Sequence, residues 1–126
     1  MSLRSPLGRV LGLGSAKDGT THWWAQRVSS IALVPLTVWF VFSVWALPAL
    51  DYATVKIWLS IPTSAFFAVL LVAVSSHHAY QGTSEVLEDY VHSAGMKALF
   101  LLLSRFLYVL VGGASIFAIL RVTFGT

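Results

Sequence analysis

Three long stretches with few or no charged residues dominate the pattern of hydrophobic and polar positions. Their approximate bounds are 28–50, 58–80 and 98–122. Each has more than 20 residues, and at about 1.5 Å per residue a helix of that length crosses the roughly 30 Å hydrocarbon core of a bilayer. Arg105 lies about two turns inside the third stretch. The pattern therefore predicts three membrane-spanning helices.

The segments between these spans are short. Residues 51–56 are predicted to form a loop, and Gly95 in the connection 91–96 is a plausible helix stop. Pro35 falls inside the first span, where a neighbouring helix can accommodate a kink. Gly112 and Gly113 form a small-residue patch in the third span, at which another helix can approach closely.

Residues 1–24 are polar and rich in glycine, and they are predicted to form a mobile arm. The glycines argue against a continuous amphipathic helix, because each is unfavourable in a helix interior. The arm contains arginine and serine and little acid, as a mitochondrial transit peptide does. No short apolar core with a cleavage site precedes the first span, so a secretory signal is not expected.

Composition supports a membrane protein. Of 126 residues, 57% are hydrophobic and only 10% are charged, and the mean hydropathy is +0.80. Soluble domains carry about 25% charged residues. The fold class is therefore all-α, with three transmembrane helices in one domain, 1–126. There is no cysteine, which excludes disulfides and thiolate-bound metal within this chain. Basic residues form no concentrated patch, so no nucleic-acid partner is expected.

Basic residues also predict the topology. Four of them precede or open the first span: Arg4, Arg9, Lys17 and Arg27. Because cytoplasmic flanks are enriched in Lys and Arg, the N-terminus is expected on the cytoplasmic side. Three crossings then place residues 85–97 on that side and the C-terminus opposite.

The end of the second span carries the candidate chemistry. On a helix, Gly82, Glu85 and Asp89 all lie within about 40° of His78. An ionisable side chain at the edge of the hydrocarbon is a functional candidate by default. His78 can ligate a metal or haem iron, shuttle protons, or simply hydrogen-bond within the bundle. His77 points about 100° away, so the two histidines are not expected to serve one site.

Several residue types keep an ordinary interpretation beside the functional one. Gly82 leaves room for a flat macrocycle, or it permits close helix packing. Glu85 and Glu88 are typical of a solvated helix end. Asp89 and Tyr90 together can bind and protonate a quinone carbonyl at a membrane surface. Arg27 is an interfacial anchor or a partner for an anionic cofactor group such as a haem propionate.

No nucleophile–base pair, phosphate loop or dinucleotide fingerprint is present, and no third ligand supports a zinc site at the paired histidines. The chain alone is not expected to be a catalyst.

These residues resemble a known family. The segment H-A-Y-Q-G-x-x-x-V-L-x-D-Y-V at 78–91, the N-terminal G-S-A-K-D-G-T-T-H-W-W-A-Q-R at 14–27 and three spans in matching order resemble the small hydrophobic membrane anchor of succinate dehydrogenase, or respiratory complex II, in its alphaproteobacterial form. The resemblance covers nearly the whole chain. Arg105 is a departure to which the sequence assigns no role.

The resemblance implies cofactors and partners. His78 would be an axial ligand to haem b, with the other ligand from a second membrane anchor, the cytochrome b subunit. Arg27 would lie near a haem propionate, and His22 close to a family histidine near the haem. Tyr90 would hydrogen-bond ubiquinone, and Asp89 would help to shape and protonate that pocket. The flavoprotein and iron–sulfur subunits would be tethered to the membrane, which would be the bacterial inner membrane or, alternatively, the mitochondrial one.

Two alternatives stay open at this point. One is a non-redox membrane assembly or scaffolding protein whose acidic segment docks a partner. The other is a fumarate reductase anchor, since the sequence does not set the physiological direction.

Overall fold

The computed structural model describes residues 16–125, with side chains from residue 20 onward. Within this range the chain is four helices and no strand. They are α1 (Ala16–Trp45), α2 (Tyr52–Ser60), α3 (Pro62–Tyr90) and α4 (Ala94–Phe124). Three of them are long and apolar enough to cross a membrane, namely Thr20–Trp45 of α1 together with α3 and α4. The all-α fold with three candidate spans is confirmed.

Helix α1 begins earlier than the sequence predicted. Residues 16–24, expected to be part of a mobile arm, are helical, so that prediction is wrong for them, while residues 1–15 lie outside the described range. Extending an existing helix adds one hydrogen bond per residue without a new nucleation cost, which offsets the roughly 1 kcal/mol penalty of Gly19. The helix ends at Trp45 rather than near residue 50, ahead of Pro48.

The predicted loop 51–56 is also wrong, because α2 occupies most of it. Asp51 caps this helix, its Oδ1 accepting a 2.8 Å hydrogen bond from the backbone N–H of Thr54. Hydrogen bonds from the Thr54 side chain and then its backbone hold the pKa of the Asp51 carboxyl below its usual value. The chain then turns at Ile61, which is extended as residues before proline tend to be.

Helix α3 therefore starts at Pro62, four residues later than predicted. Proline fits the first helical turn, where its missing N–H has no intrahelical partner in any case. The helix continues unbroken to Tyr90. Gly95 is not a helix stop, since α4 begins at Ala94 and runs to a left-handed cap at Gly125, whose φ is 72°.

Helix α3 is the centre of the bundle. It packs against α1, α2 and α4, whereas α1 and α4 make no contact with each other among the described residues. The interior is made of small side chains, the buried apolar residues being Leu36, Ala65 and Ala68. At Gly112 an added Cβ would lie 2.7 Å from Ser76 Oγ, so the predicted close approach occurs there and depends on glycine.

Most large apolar side chains face outward. Phe42 and Leu110 are both 71% exposed, and Trp45 is 85% exposed. Such a surface is unfavourable in water and is what a helix in hydrocarbon, or against another membrane subunit, presents. Polar side chains are also exposed, and several of them lie together at the end where α1 begins and α3 finishes.

Candidate functional site

A polar cleft lies between the first half of α1 and the second half of α3. Its volume is about 530 Å³. From α1 it is lined by His22, Trp23, Gln26, Arg27 and Ser30, and from α3 by His78 and Glu85. We refer to it as the His78 cleft. Three of the residues singled out from sequence, His22, Arg27 and His78, are therefore brought together from two helices.

His78 is held by a buried hydroxyl. Its Nδ1 lies 2.8 Å from Ser29 Oγ, and the same oxygen donates a 2.9 Å hydrogen bond to the backbone carbonyl of Gln26. Because the Gln26 carbonyl can take the single Ser29 proton, the Ser29 oxygen can accept a hydrogen bond from Nδ1. In that arrangement His78 carries its proton on Nδ1 and a lone pair on Nε2.

The other ring nitrogen of His78 and the surface at Gly82 are both without contacts in the described part of the chain. Nε2 has no hydrogen-bond partner among the described residues. Gly82 is one turn further along α3, and an added Cβ there would meet no atom within 4 Å. The glycine is thus not required for helix packing within the chain, and it leaves the surface beside His78 flat.

Arg27 is positioned at the rim of the cleft by an aromatic contact. Its guanidinium carbon lies 5.4 Å from the centroid of the Trp23 ring, within cation–π range. Trp23 in turn packs edge-on against Trp24. The guanidinium keeps its N–H donors available for an anion, because a cation–π contact uses no acceptor atom.

His22 closes the cleft at its outer end. Its Nε2 lies 3.2 Å from Glu85 Oε1, and an ionised carboxylate only accepts, so the imidazole donates. Both side chains are close to half exposed, so the contact adds little to stability. It nevertheless ties the start of α1 to α3, and Glu85, expected at a solvated helix end, has a partner.

Asp89 and Tyr90 do not line this cleft. Both lie in the last turn of α3 and are exposed, with Tyr90 78% accessible. His77 is also separate from His78, as their 100° separation predicts, and lines grooves on another side of α3. No group of three or more metal-ligating side chains occurs in the part of the chain that is described.

Sequence reasoning missed Ser29, which is only 6% exposed. The available signal is its position, two residues after Arg27 at the polar opening of an apolar span. A buried hydroxyl there needs a partner, but the partner's identity depends on how α1 is rotated against α3.

Three apolar helices with a histidine-bearing polar cleft at one end are typical of an integral membrane subunit. Residues 1–112 match the model of the succinate dehydrogenase/fumarate reductase transmembrane subunit family. The chain therefore belongs to this family, as its motifs indicated.

Curated relatives carry consistent names. A succinate dehydrogenase hydrophobic membrane anchor subunit from Paracoccus denitrificans is 32% identical over 121 residues, covering 96% of this chain and 93% of that protein. One from Rickettsia bellii is 33% identical over 89 residues, covering 70% of each. A succinate dehydrogenase membrane anchor subunit from Reclinomonas americana is 26% identical over 100 residues, or 77% of this chain and 83% of that protein. All three are membrane anchors of succinate dehydrogenase, and this chain is similar to them over most of its length.

Proposed function

We propose that this anchor binds haem b at the His78 cleft and contributes to a ubiquinone-reduction site at the end of α3. It tethers the flavoprotein and iron–sulfur subunits of a succinate:ubiquinone oxidoreductase. A second membrane anchor, the cytochrome b subunit, would supply the other ligand to the iron. Family membership supports the redox role over a non-redox scaffold, and the geometry of the cleft supports the cofactor.

The 2.8 Å hydrogen bond between His78 Nδ1 and Ser29 Oγ is the observation that carries the haem proposal. Neutral imidazole with a lone pair on Nε2 is a strong iron ligand, and metal-bound histidines usually donate their other N–H to a nearby acceptor. Ser29 is that acceptor here. The donor set thus fits a haem, with the Gly82 surface leaving space beside the ligand nitrogen.

The remaining cleft residues have complementary roles. Arg27, held over Trp23, provides guanidinium donors for a propionate, which it can bind through two parallel hydrogen bonds. His22 lies at the same rim, where its ring contacts Glu85. When bound, haem b supplies a one-electron redox centre whose potential depends on axial ligands, hydrogen bonding and burial.

Tyr90 and Asp89 are assigned to ubiquinone. Their exposure at the end of α3 leaves a phenol and a carboxylate available at the membrane surface for a site that another subunit completes. The phenol donates a hydrogen bond to a quinone carbonyl, and the carboxylate holds a proton close to it. The rest of the electron path belongs to the soluble subunits.

The cytoplasmic membrane of a bacterium is the proposed location, with the start of α1 on the cytoplasmic side. Arg27 at the opening of the first span supports this orientation. The contact between Ser29 and His78 places the second half of α3 at the same end of the bundle. Haem and quinone sites would then face the soluble subunits across that surface.

Two histidine variants of the intact complex test the proposal. His78→Ala should abolish or greatly reduce the low-spin b-type spectrum of reduced membranes, whereas His77→Ala, on another face of α3, should retain it. His77→Ala is the matched control, because it places the same substitution at the adjacent position of the same helix. Equal haem loss in both variants, at equal amounts of assembled protein, would contradict His78 as the ligand.

A further inference from the structure

A second polar region lies between α3 and α4, away from the His78 cleft. It is a groove of about 280 Å³ whose polar lining is Ser76, His77, Tyr80, Arg105 and Tyr108. We refer to it as the Arg105 groove. It contains Arg105, to which the sequence assigned no role, and none of its lining residues belongs to the His78 cleft.

Arg105 has an aromatic neighbour but no anion. Its guanidinium carbon lies 5.5 Å from the centroid of the Tyr80 ring. Among the described residues no carboxylate pairs with it, and the side chain is exposed. An arginine inside an apolar span is costly unless a partner or water satisfies it. Its five donors therefore point to a ligand or partner outside the described chain.

The groove is organised for such a ligand. Tyr108 is fixed to α3 by a 2.8 Å hydrogen bond between its hydroxyl and Thr83 Oγ1. Its ring meets that of Tyr80 at 6.3 Å between centroids in an edge-to-face arrangement. These contacts fix the two tyrosine rings, and the Arg105 guanidinium lies over one of them. The guanidinium is therefore already positioned in the groove before any ligand binds.

The depth of the groove favours a headgroup rather than hydrocarbon. Arg105 precedes Arg121 by 16 residues on α4, which is about 24 Å of helix. Arg121 and Lys56 line a pocket at the opposite end of the bundle and mark that surface. Since the hydrocarbon core is about 30 Å thick, the backbone of Arg105 lies several ångströms inside its other edge, and the long side chain can reach outward to the lipid phosphates.

An apolar path continues from the groove toward the bilayer centre. Val109 is 67% exposed and lies one turn beyond Arg105. One turn further is Gly113, at which an added Cβ would meet nothing within 4 Å. Ala73 provides a similarly small surface on α3. An acyl chain fits this shallow path beneath the headgroup, whereas a carboxylate side chain from a partner helix would have no need of it.

From these observations we infer that the Arg105 groove binds the phosphodiester of an anionic phospholipid, of the phosphatidylglycerol class, from the leaflet on the side where α1 begins. Arg105 binds the phosphate and the tyrosines frame it. No carboxylate lines the groove to attract the ammonium of a zwitterionic lipid. This inference does not depend on haem or quinone binding.

The test uses the full chain, purified from its own membrane in mild detergent with its accompanying subunits. Phosphatidylglycerol and phosphatidylcholine are titrated in parallel, and native mass spectrometry measures bound lipid. Wild type should bind phosphatidylglycerol more tightly. Arg105→Gln should weaken that binding about tenfold or more, the scale of a lost charge-assisted hydrogen bond. Arg105→Lys, which keeps the charge but not the paired donors, should fall between them.

Lys97→Gln is the matched control, because it removes one positive charge from α4 two turns closer to the water. It should leave phosphatidylglycerol binding unchanged, and a loss equal to that of Arg105→Gln would overturn the site in favour of general charge attraction. Equal binding of both lipids by wild type would also overturn it. Dissociation of a partner subunit from Arg105→Lys and Arg105→Gln, without a change in bound lipid, would assign Arg105 to a partner carboxylate instead.

Discussion

Replacing Ser29 with alanine tests the arrangement that defines the proposed haem ligand. The substitution removes one oxygen from a residue that is 6% accessible and leaves the helix backbone able to form as before. The Gln26 carbonyl keeps a second donor, since Ser30 Oγ also bonds it at 2.8 Å. The His78 Nδ1–H alone loses its partner.

The expected loss of haem affinity follows from this unpaired N–H. A buried donor left without an acceptor costs about 1–3 kcal/mol. Loss of an outer hydrogen-bond partner typically weakens metal binding about 10–100-fold, which corresponds to roughly 1.4–2.8 kcal/mol. The two estimates agree, so Ser29→Ala should weaken haem retention by one to two decades. The ring also becomes a less basic ligand, so the haem midpoint potential should rise.

The assay is a haem titration of the assembled complex, followed by a potentiometric titration of its b-type band. Ser30→Ala is the matched control, because it removes a neighbouring hydroxyl that bonds the same carbonyl but does not reach His78. Ser29→Thr, which restores a hydroxyl, should recover most of the wild-type behaviour. If Ser29→Ala and Ser30→Ala retain haem equally and at the same potential, the hydrogen bond to His78 does not position the ligand.

Three further predictions concern the quinone site, helix packing and orientation. Tyr90→Phe should weaken quinone affinity by about one to two decades and slow quinone reduction. Haem content and succinate oxidation with a soluble acceptor should stay close to normal. Equal loss of quinone reduction and of succinate oxidation with the soluble acceptor would mean that Tyr90 is structural. Gly112→Ala should lower the thermal stability of the complex, because the added Cβ would lie 2.7 Å from a serine oxygen. Gly113→Ala should leave the stability unchanged. Equal thermal unfolding midpoints for the two variants would refute the close approach. Reporter fusions should place residues 85–97 with the N-terminus and opposite the C-terminus, and both termini on one side would exclude three crossings.

The spans and the separation of His77 from His78 are predictable because both follow from local rules. Span length comes from the run of apolar residues, and the angle between neighbours comes from helix geometry. The ends of the helices are less predictable. Helix α2 depends on the cap at Asp51, within a short polar segment that otherwise favours a loop, and the early start of α1 reflects the low cost of extending a formed helix.

The pairing of Ser29 with His78 is not predictable from one sequence. Helix α1 is apolar around most of its circumference, so its pattern does not show which side meets α3. Ser29 and His78 are 49 residues apart in the sequence, so their contact depends on how the two helices are rotated and aligned against each other. By contrast, the likeness of residues 78–91 to a family segment predicts a role for His78 directly, because that motif lies almost entirely within a single helix.

The sparse interior of the bundle affects how much of this protein can accumulate in the cell. Only three apolar side chains are buried among the described residues, and α1 and α4 do not pack directly against each other. The newly inserted helices therefore gain little stabilisation from one another. Most of their stabilising contacts must come from lipid and from the other subunits of the complex. If this chain were synthesised in excess of the other subunits, the unassembled copies would have poorly packed helices, and membrane proteases would degrade them. The supply of the partner subunits, rather than the folding of this chain alone, would then set how much anchor accumulates.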